Sequence, residues 1–457
     1  MGCGVTTIWR AVATVLAAAG IPAAVAAAPP ELAREFRGVW VASVYNIDWP
    51  SRPGLPAESQ QAQLVRLIET ADEAGLNAVI LQVRPACDAL YESRHEPWSP
   101  YLSGRMGRSP GYDPLAFAVD QAHRRGLELH AWFNPFRAQS NYRNEVSRDH
   151  VTKRRPQWVR RYGSYLWLDP GLPAVREYSR EVIVDVVRRY DIDGVHIDDY
   201  FYPYPQRGAG EFPDDESYRR HGRGDRGDWR RGNIDRFIKD LYSAIKLEKP
   251  WVKFGVSPFG IWRPGVPEGT TAGLDAYGQL YGDSRKWFAS GWLDYFSPQL
   301  YWTLGSRGQS LSRLAPWWAA QNARRRHLWP GLAVERVGKD RQAGEIAAQI
   351  ELLRRQRGPS DGHILWSNSA FAGDKGGVRS LLASRSYDDP ALVPASPWLD
   401  SSRPRPPRLK AGISGGRLVG ELDAVDRSTR FIVLQTRHGG GWRSEVLDGR
   451  MRRFAVD

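Results

Sequence analysis

Eight apolar, strand-like runs alternating with amphipathic helical stretches predict a (β/α)8 TIM barrel, an α/β fold, followed by a short C-terminal β-sandwich-like module. The runs are 36–43, 78–84, 127–134, 194–199, 253–258, 295–302, 328–335 and 363–369. The long irregular segments point the same way: 85–113, 135–173, 201–231 and 259–282 all follow strands, so they crown the C-terminal face, where barrel enzymes hold their active sites. No run leads into a G-x-G-x-x-G turn, so a doubly wound sheet lacks its glycine fingerprint.

Helical periodicity falls between these runs, at 59–74, 114–125, 174–190, 234–248 and 343–355. In the first stretch Leu64, Leu67, Ile68 and Ala71 share a face, and Gly75 suits the C-terminal cap. The Gly- and Arg-rich run 221–228 reads as a solvated loop, with a flap as the alternative. Composition changes at Asp388-Asp389-Pro390 and again at Ser401-Ser402-Arg403-Pro404-Arg405-Pro406-Pro407, so 32–386 is expected to be the barrel and 387–407 an extended, proline-rich linker. Alternation in Arg430-Phe431-Ile432-Val433-Leu434-Gln435 and the turn Gly439-Gly440-Gly441 mark 408–457 as a short β module, too short for a complete seven-strand fibronectin- or immunoglobulin-like domain.

The chain has 457 residues, 25% of them charged and 42% hydrophobic, enough for one large core and a small extra module. Arg10, the apolar stretch 11–19 and Ala24-Val25-Ala26 resemble an export signal spanning 1–26, which places the mature protein in the periplasm or at the cell surface. No later run is long and apolar enough for a membrane span. Cys3 precedes the apolar stretch, which leaves Cys87 as an unpaired, structural thiol. The net charge of +13 is spread in short clusters without a nucleic-acid module, so it implies a diffuse preference for anions and no nucleic-acid partner. Nineteen Trp is an unusual number, and Trp40, Trp132, Trp262, Trp302 and Trp366 fall where strands end, as platforms for sugar rings would.

The chemistry concentrates in Asp193-Gly194-Val195-His196-Ile197-Asp198-Asp199-Tyr200. Strand alternation turns Val195 and Ile197 toward the helices and His196, Asp198 and Tyr200 into the barrel, with Asp199 at the rim. Two carboxyls this close repel when both ionise, so one is expected to hold a proton for a leaving group. Other strand ends supply binding groups: Gln82 and Arg84, Asn134, then Gln299, Tyr301 and Trp302, then Trp366 and Asn368. Asp48, Asp88, Glu268 and Glu335 are further acids near the mouth.

Six ordered segments then carry a resemblance: Phe36-Arg37-Gly38-Val39-Trp40-Val41, Asn77-Ala78-Val79-Ile80-Leu81-Gln82-Val83-Arg84-Pro85, His130-Ala131-Trp132-Phe133-Asn134-Pro135, the strand-four segment running on to Pro203, Gly255-Val256-Ser257-Pro258-Phe259-Gly260 and Ser297-Pro298-Gln299-Leu300-Tyr301-Trp302. Over about residues 35–384 the chain resembles the bacterial glycosyl hydrolase-like ten family of exported barrels, distantly related to the alpha-amylase clan. The resemblance implies a glycosidase, and no cofactor or metal is expected. Its implied partner is a glycan, peptidoglycan strands already stripped of their stem peptides.

Two mechanisms compete. In an amylase-like retaining reaction Asp198 would be the nucleophile, but His196 stands where that clan has an Arg, and strand five offers no Glu. The acid would then come from Asp199, Glu268 or Glu335. The alternative suits N-acetyl sugars: the acetamido oxygen is the nucleophile, Asp198 polarises its N–H, and Asp199 protonates the leaving oxygen and later activates water. Catalysis is therefore assigned to Asp198 and Asp199, and substrate binding to Arg84, Asn134, His196, Tyr200, Gln299, Tyr301, Trp302 and Trp366. A metal-dependent hydrolase using His130, His196, Asp198 and Asp199 lacks the paired histidines on strand one. A non-catalytic carbohydrate-binding barrel would keep the Trp platforms without needing the acid pair.

Overall fold

The computed structural model describes residues 7–11, 28–356, 362–402, 407–415, 417–423, 425, 429–438 and 441–456. The expected export signal lies outside these residues except for Thr7–Ala11, a strand parallel to Thr429–His438. Among the described residues no helix is long and apolar enough to cross a membrane.

Eight parallel strand positions build the barrel: β1 Phe36–Val41, β2 Ala78–Arg84, β3 Glu128–Phe133, β4 Gly194–Ile197, β5 Lys253–Val256, β6 Tyr295–Phe296, β7 in two pieces, His327–Leu328 and Gly331–Ala333, and β8 Gly362–Trp366. Each pairs with its sequence neighbour, and β8 pairs with β1. The first half of β7 pairs with β6 and the second half with β8, so the broken strand closes the ring. Strands six and seven are therefore shorter than their apolar runs implied. Pro298 and Pro330 explain this, since neither can donate to a ladder.

Helices follow the strands: α1 Ala57–Glu73, α2 Pro114–Arg124, α3 Pro173–Arg189, α4 Arg226–Glu248, α5 Ser284–Ser290, α6 Leu311–Ala320, α7 Ala343–Arg355 and α8 Val378–Arg385. In α1, Leu64, Leu67, Ile68 and Ala71 are buried, and Gly75 ends the helix with φ +80°, which glycine adopts without strain. Helix α4 begins eight residues before its expected start, because Asp225 caps it by accepting from the Asp228 amide at 2.8 Å. Half of the Gly- and Arg-rich run is thus helical, and Arg226 from it pairs with Asp214 together with Arg230, one turn further along α4.

Alternation along the strands fills the barrel. On β3 the inward series is Glu128, His130, Trp132 and then Asn134 beyond the strand end, while Leu129, Ala131 and Phe133 join the shell between strands and helices. Glu128 pairs with Lys253 at 2.7 Å in the lowest layer. Above it Phe36 and Trp329 stack at 3.8 Å, with Tyr295 alongside. Gly255 makes room for that ring, since a Cβ there would sit 2.0 Å from Tyr295.

Beyond α8 the chain stays docked as far as Trp398. Ala391–Leu392 pairs with Ala33–Arg34, Val393 is buried, and the Trp398 indole donates to Asp294 at 2.8 Å. The C-terminal module consists of two antiparallel groups, Arg408–Ser414, Arg417–Asp423 and Arg453–Val456, and Thr429–His438 with Gly441–Asp448. Arg430 joins it to the barrel, binding both oxygens of Asp191 at 2.7 Å and pairing with buried Asp193 at 2.9 Å, directly below β4.

Candidate active site

Asp198 and Asp199 leave β4 at the C-terminal mouth and are almost fully buried, 4% and 3% exposed. They face a cavity of about 220 Å³ walled by Trp40, Trp132, Trp366, Tyr200, Tyr204 and Tyr301, with Gln82, Arg137, Ser257 and Gln299 between them. The three indoles pack edge to face, Trp366 lying 6.3 Å from Trp40 and 6.2 Å from Trp132, so the cavity has an aromatic wall on the β1, β3 and β8 side. Trp132 Nε1 is buried at the wall beside the Asp198 carboxyl, whose pKa it helps to hold down.

Asp198 is oriented from behind. Asn134 Nδ2 donates to its two oxygens at 2.7 and 2.5 Å. The Asn134 carbonyl oxygen receives Gln82 Nε2 at 2.6 Å and Arg137 Nη2 at 2.8 Å, which fixes the amide so that its donors face the carboxyl. Gln82 is fixed in turn by the Ser43 and Val44 amides. Asp199 receives the Tyr204 hydroxyl. Burial raises both carboxyls above the ordinary carboxylate range. Arg137 and Asn134 restrain Asp198 at about 6, whereas the charge of Asp198 adds to burial and lifts Asp199 to about 7. The pair therefore holds a proton near neutrality, more on Asp199 than on Asp198.

His196 sits one layer lower and is not part of the cavity wall. Its Nε2 accepts from the Trp40 indole at 3.0 Å and meets Ser257 Oγ at 2.9 Å, while Nδ1 contacts the Tyr295 hydroxyl at 3.0 Å. That hydroxyl also meets His130 Nδ1, whose Nε2 reaches Glu128 at 3.0 Å. Burial and the neighbouring His130 hold His196 neutral, well below the ordinary imidazole range, so it acts as a brace under Trp40 and Ser257.

Arg84, expected to touch substrate, lies outside the cavity. It is fully buried, its Nε and Nη2 are taken by Glu96 at 2.8 and 2.5 Å, and Nη1 holds the Asn134 and Pro135 carbonyls. Its place is behind Asn134. Asn134 too stands behind Asp198 and does not form the wall. Tyr200, Gln299, Tyr301 and Trp366 do line the cavity, and Trp302 lines a neighbouring one. Arg137 and Tyr204 are not singled out by the sequence, since Arg137 begins a short strand, Arg137–Gln139, outside the barrel, Tyr204 lies in the loop after β4, and neither follows a barrel-strand period. Their only signals were the aromatic run around Tyr200 and the Asn-Pro turn before Arg137.

The other acids stand apart. Asp48 ties loops by accepting from the Ala42 and Ser369 amides, Asp88 accepts from the Ala86 amide, and Glu335 pairs with Lys339 at 3.0 Å. Among the described residues Asp198 and Asp199 are the carboxyls lining this cavity, and no group of three or more His, Cys, Asp and Glu is arranged to hold a metal.

Residues 35–346 match the family model described as "Glycosyl hydrolase-like 10". The chain is 42% identical to "Glycosyl hydrolase YngK" of Bacillus subtilis, over 82% of this chain and 76% of that one. It is 38% identical to "Glycosyl hydrolase DigH" of Escherichia coli, over 66% and 74%. Among solved structures, the catalytic domain of the beta-amylase from Paenibacillus polymyxa superposes with a TM-score of 0.51 at 11% identity, over 78% of this chain and 99% of that one, a likeness of fold. With its barrel closed around a carboxyl pair and its sequence matched over that barrel, the chain belongs to the glycosyl hydrolase-like 10 family and is a glycoside hydrolase.

Proposed function

We propose that the protein cleaves glycosidic bonds in cell-wall glycan outside the cytoplasm, acting on peptide-free peptidoglycan strands by acetamido-assisted hydrolysis. The observation that carries this reading is the cavity's pair of adjacent carboxyls, of which Asp199 has the more strongly raised pKa. A carboxyl on each side of the scissile bond would suit direct displacement, but two neighbours on one strand end suit a nucleophile carried by the sugar itself.

In the first step the acetamido carbonyl oxygen of the sugar attacks C1 while Asp199 gives its proton to the departing glycosidic oxygen. Ionised Asp198, held by Asn134, accepts a hydrogen bond from the acetamido N–H and stabilises the positive charge that develops on the closing ring. In the second step the Asp199 carboxylate takes a proton from water, whose oxygen attacks C1 and reopens the ring. Trp40, Trp132 and Trp366 form an apolar wall against which the acetamido methyl group and sugar ring pack.

The test is digestion of peptide-free strands, intact peptidoglycan and an alpha-glucan, with the new reducing ends identified by mass spectrometry. Products from the first substrate alone are expected. Efficient cleavage of the alpha-glucan would overturn the acetamido mechanism in favour of an amylase-like reaction with Asp198 as a covalent nucleophile.

A further inference from the structure

Beside the carboxyl pair lies a second cavity of about 300 Å³, walled by Phe259, Trp302, Thr303, Ser306, Arg336, Asp340 and Arg341. Gln299 and Tyr301 belong to the walls of both cavities, so the two are consecutive compartments of one cleft. A polymer whose cleaved sugar occupies the first would place a neighbouring sugar in the second. Trp302, packed edge to face with Phe259 at 5.7 Å, supplies the flat surface such a ring needs.

The polar side of this compartment is specific. Arg341 is 7% exposed; its Nε pairs with Asp340 at 2.9 Å and its Nη2 donates to the Tyr301 carbonyl at 2.9 Å. These two bonds fix the plane of the guanidinium and leave Nη1 buried without a hydrogen-bond partner. A charged donor in that condition costs free energy unless a ligand answers it. Asp340 is already shared with Arg336, so the wall carries two guanidinium groups against one carboxylate. One positive charge is left over, at a fixed donor beside an aromatic platform.

We propose that this compartment binds a sugar bearing a carboxylate and that Arg341 reads that group. The inference rests on the cell-wall glycan reading above and gives it a physical cause. In a peptide-free strand the lactyl side chain of the muramic sugar ends in a free carboxylate, whereas in intact peptidoglycan the same carbon is an uncharged amide continuing into the stem peptide. A guanidinium gains a charge-assisted hydrogen bond from the first and meets no charge in the second.

The experiment compares peptide-free strands with the same strands after their carboxyls are converted to methylamides, using wild-type protein and Arg341→Gln. The wild type is expected to show a KM at least about tenfold lower on the acidic strands. Arg341→Gln should raise KM on the acidic strands to the amidated value, with kcat nearly unchanged and the amidated KM unmoved. Arg341→Lys, which keeps the charge, should restore part of the preference. Equal KM values for the wild type on both strands would overturn the proposal and need no variant, while leaving the glycosidase reading intact. Cleavage of neither strand would overturn the cell-wall glycan reading itself. An equal loss on both strands in Arg341→Gln would also overturn the proposal, because a merely structural arginine affects both substrates alike.

Discussion

Replacing Asn134 by Ala isolates the group that keeps Asp198 ionisable. Asn134 donates to both Asp198 oxygens at 2.7 and 2.5 Å, and its loss leaves the Tyr200 amide, 3.4 Å away, and the Trp132 N–H beside the carboxyl. A hydrogen bond to a charged group contributes about 1.5–3 kcal/mol. At about 1.36 kcal/mol per pKa unit, its loss should raise Asp198 from about 6 by roughly 1–2 units. In the proposed reaction Asp198 works as the carboxylate, so the acid limb of kcat/KM on peptide-free strands should move to higher pH by that amount. At pH 5 the variant should therefore be roughly 10–100-fold slower than wild type. The deficit should shrink to about twofold or less by pH 8, where at least about half of Asp198 is ionised in the variant. Thermal unfolding, monitored in parallel, distinguishes this from loss of fold. A deficit of the same size at every pH would refute the reasoning, for it would mean that Asn134 positions the chain without tuning the acid.

The raised carboxyls also have a consequence for stability. Asp199 has its folded-state pKa raised from 3.8 to about 7, so its neutral form is favoured; folding is unpenalised below pH 4 and loses stability as pH rises toward 7. Asp199→Asn should accordingly raise Tm at pH 8 by an amount corresponding to on the order of a few kcal/mol and leave Tm at pH 3.5 nearly unchanged. Asp199→Ala should lose at least about 100-fold in kcat on glycan strands yet retain the first step on an aryl glycoside whose leaving group needs no proton, seen as a burst of released phenol. Arg230→Ala leaves buried Asp214 with Arg226 as its remaining guanidinium, removing bonds of 2.7 and 2.9 Å, and should lower stability by about 1.5–3 kcal/mol by denaturant unfolding.

Much of this molecule is legible in the chain because the barrel obeys a period of two. The inward series on β3 and β4 follows from alternation alone, and it delivers Asn134 and Asp198 to one end. The break in β7 is less legible, because Trp329-Pro330 interrupts the ladder without interrupting hydrophobicity. The strand-end address of Arg84 points to substrate, but a strand address does not reveal partners. Glu96, twelve residues on in an irregular loop, folds back to take its donors. Arg137, on a short strand outside the barrel, and Tyr204, in a loop, also reach the site from segments that carry no barrel-strand period. Trp302 stands at a strand end but lines the neighbouring compartment, a separation that strand position alone does not show.

The central claim is that the sugar's own acetamido group attacks C1 while Asp198 and Asp199 assist. The direct measurement is kcat on short peptide-free oligosaccharides whose acetamido methyl at the cleaved sugar carries zero, one, two or three fluorines. Fluorine weakens the carbonyl oxygen as a nucleophile with little change in shape, so kcat should fall steeply and monotonically across the four substrates. A flat series would contradict the account and assign the attack to a protein carboxylate or to water.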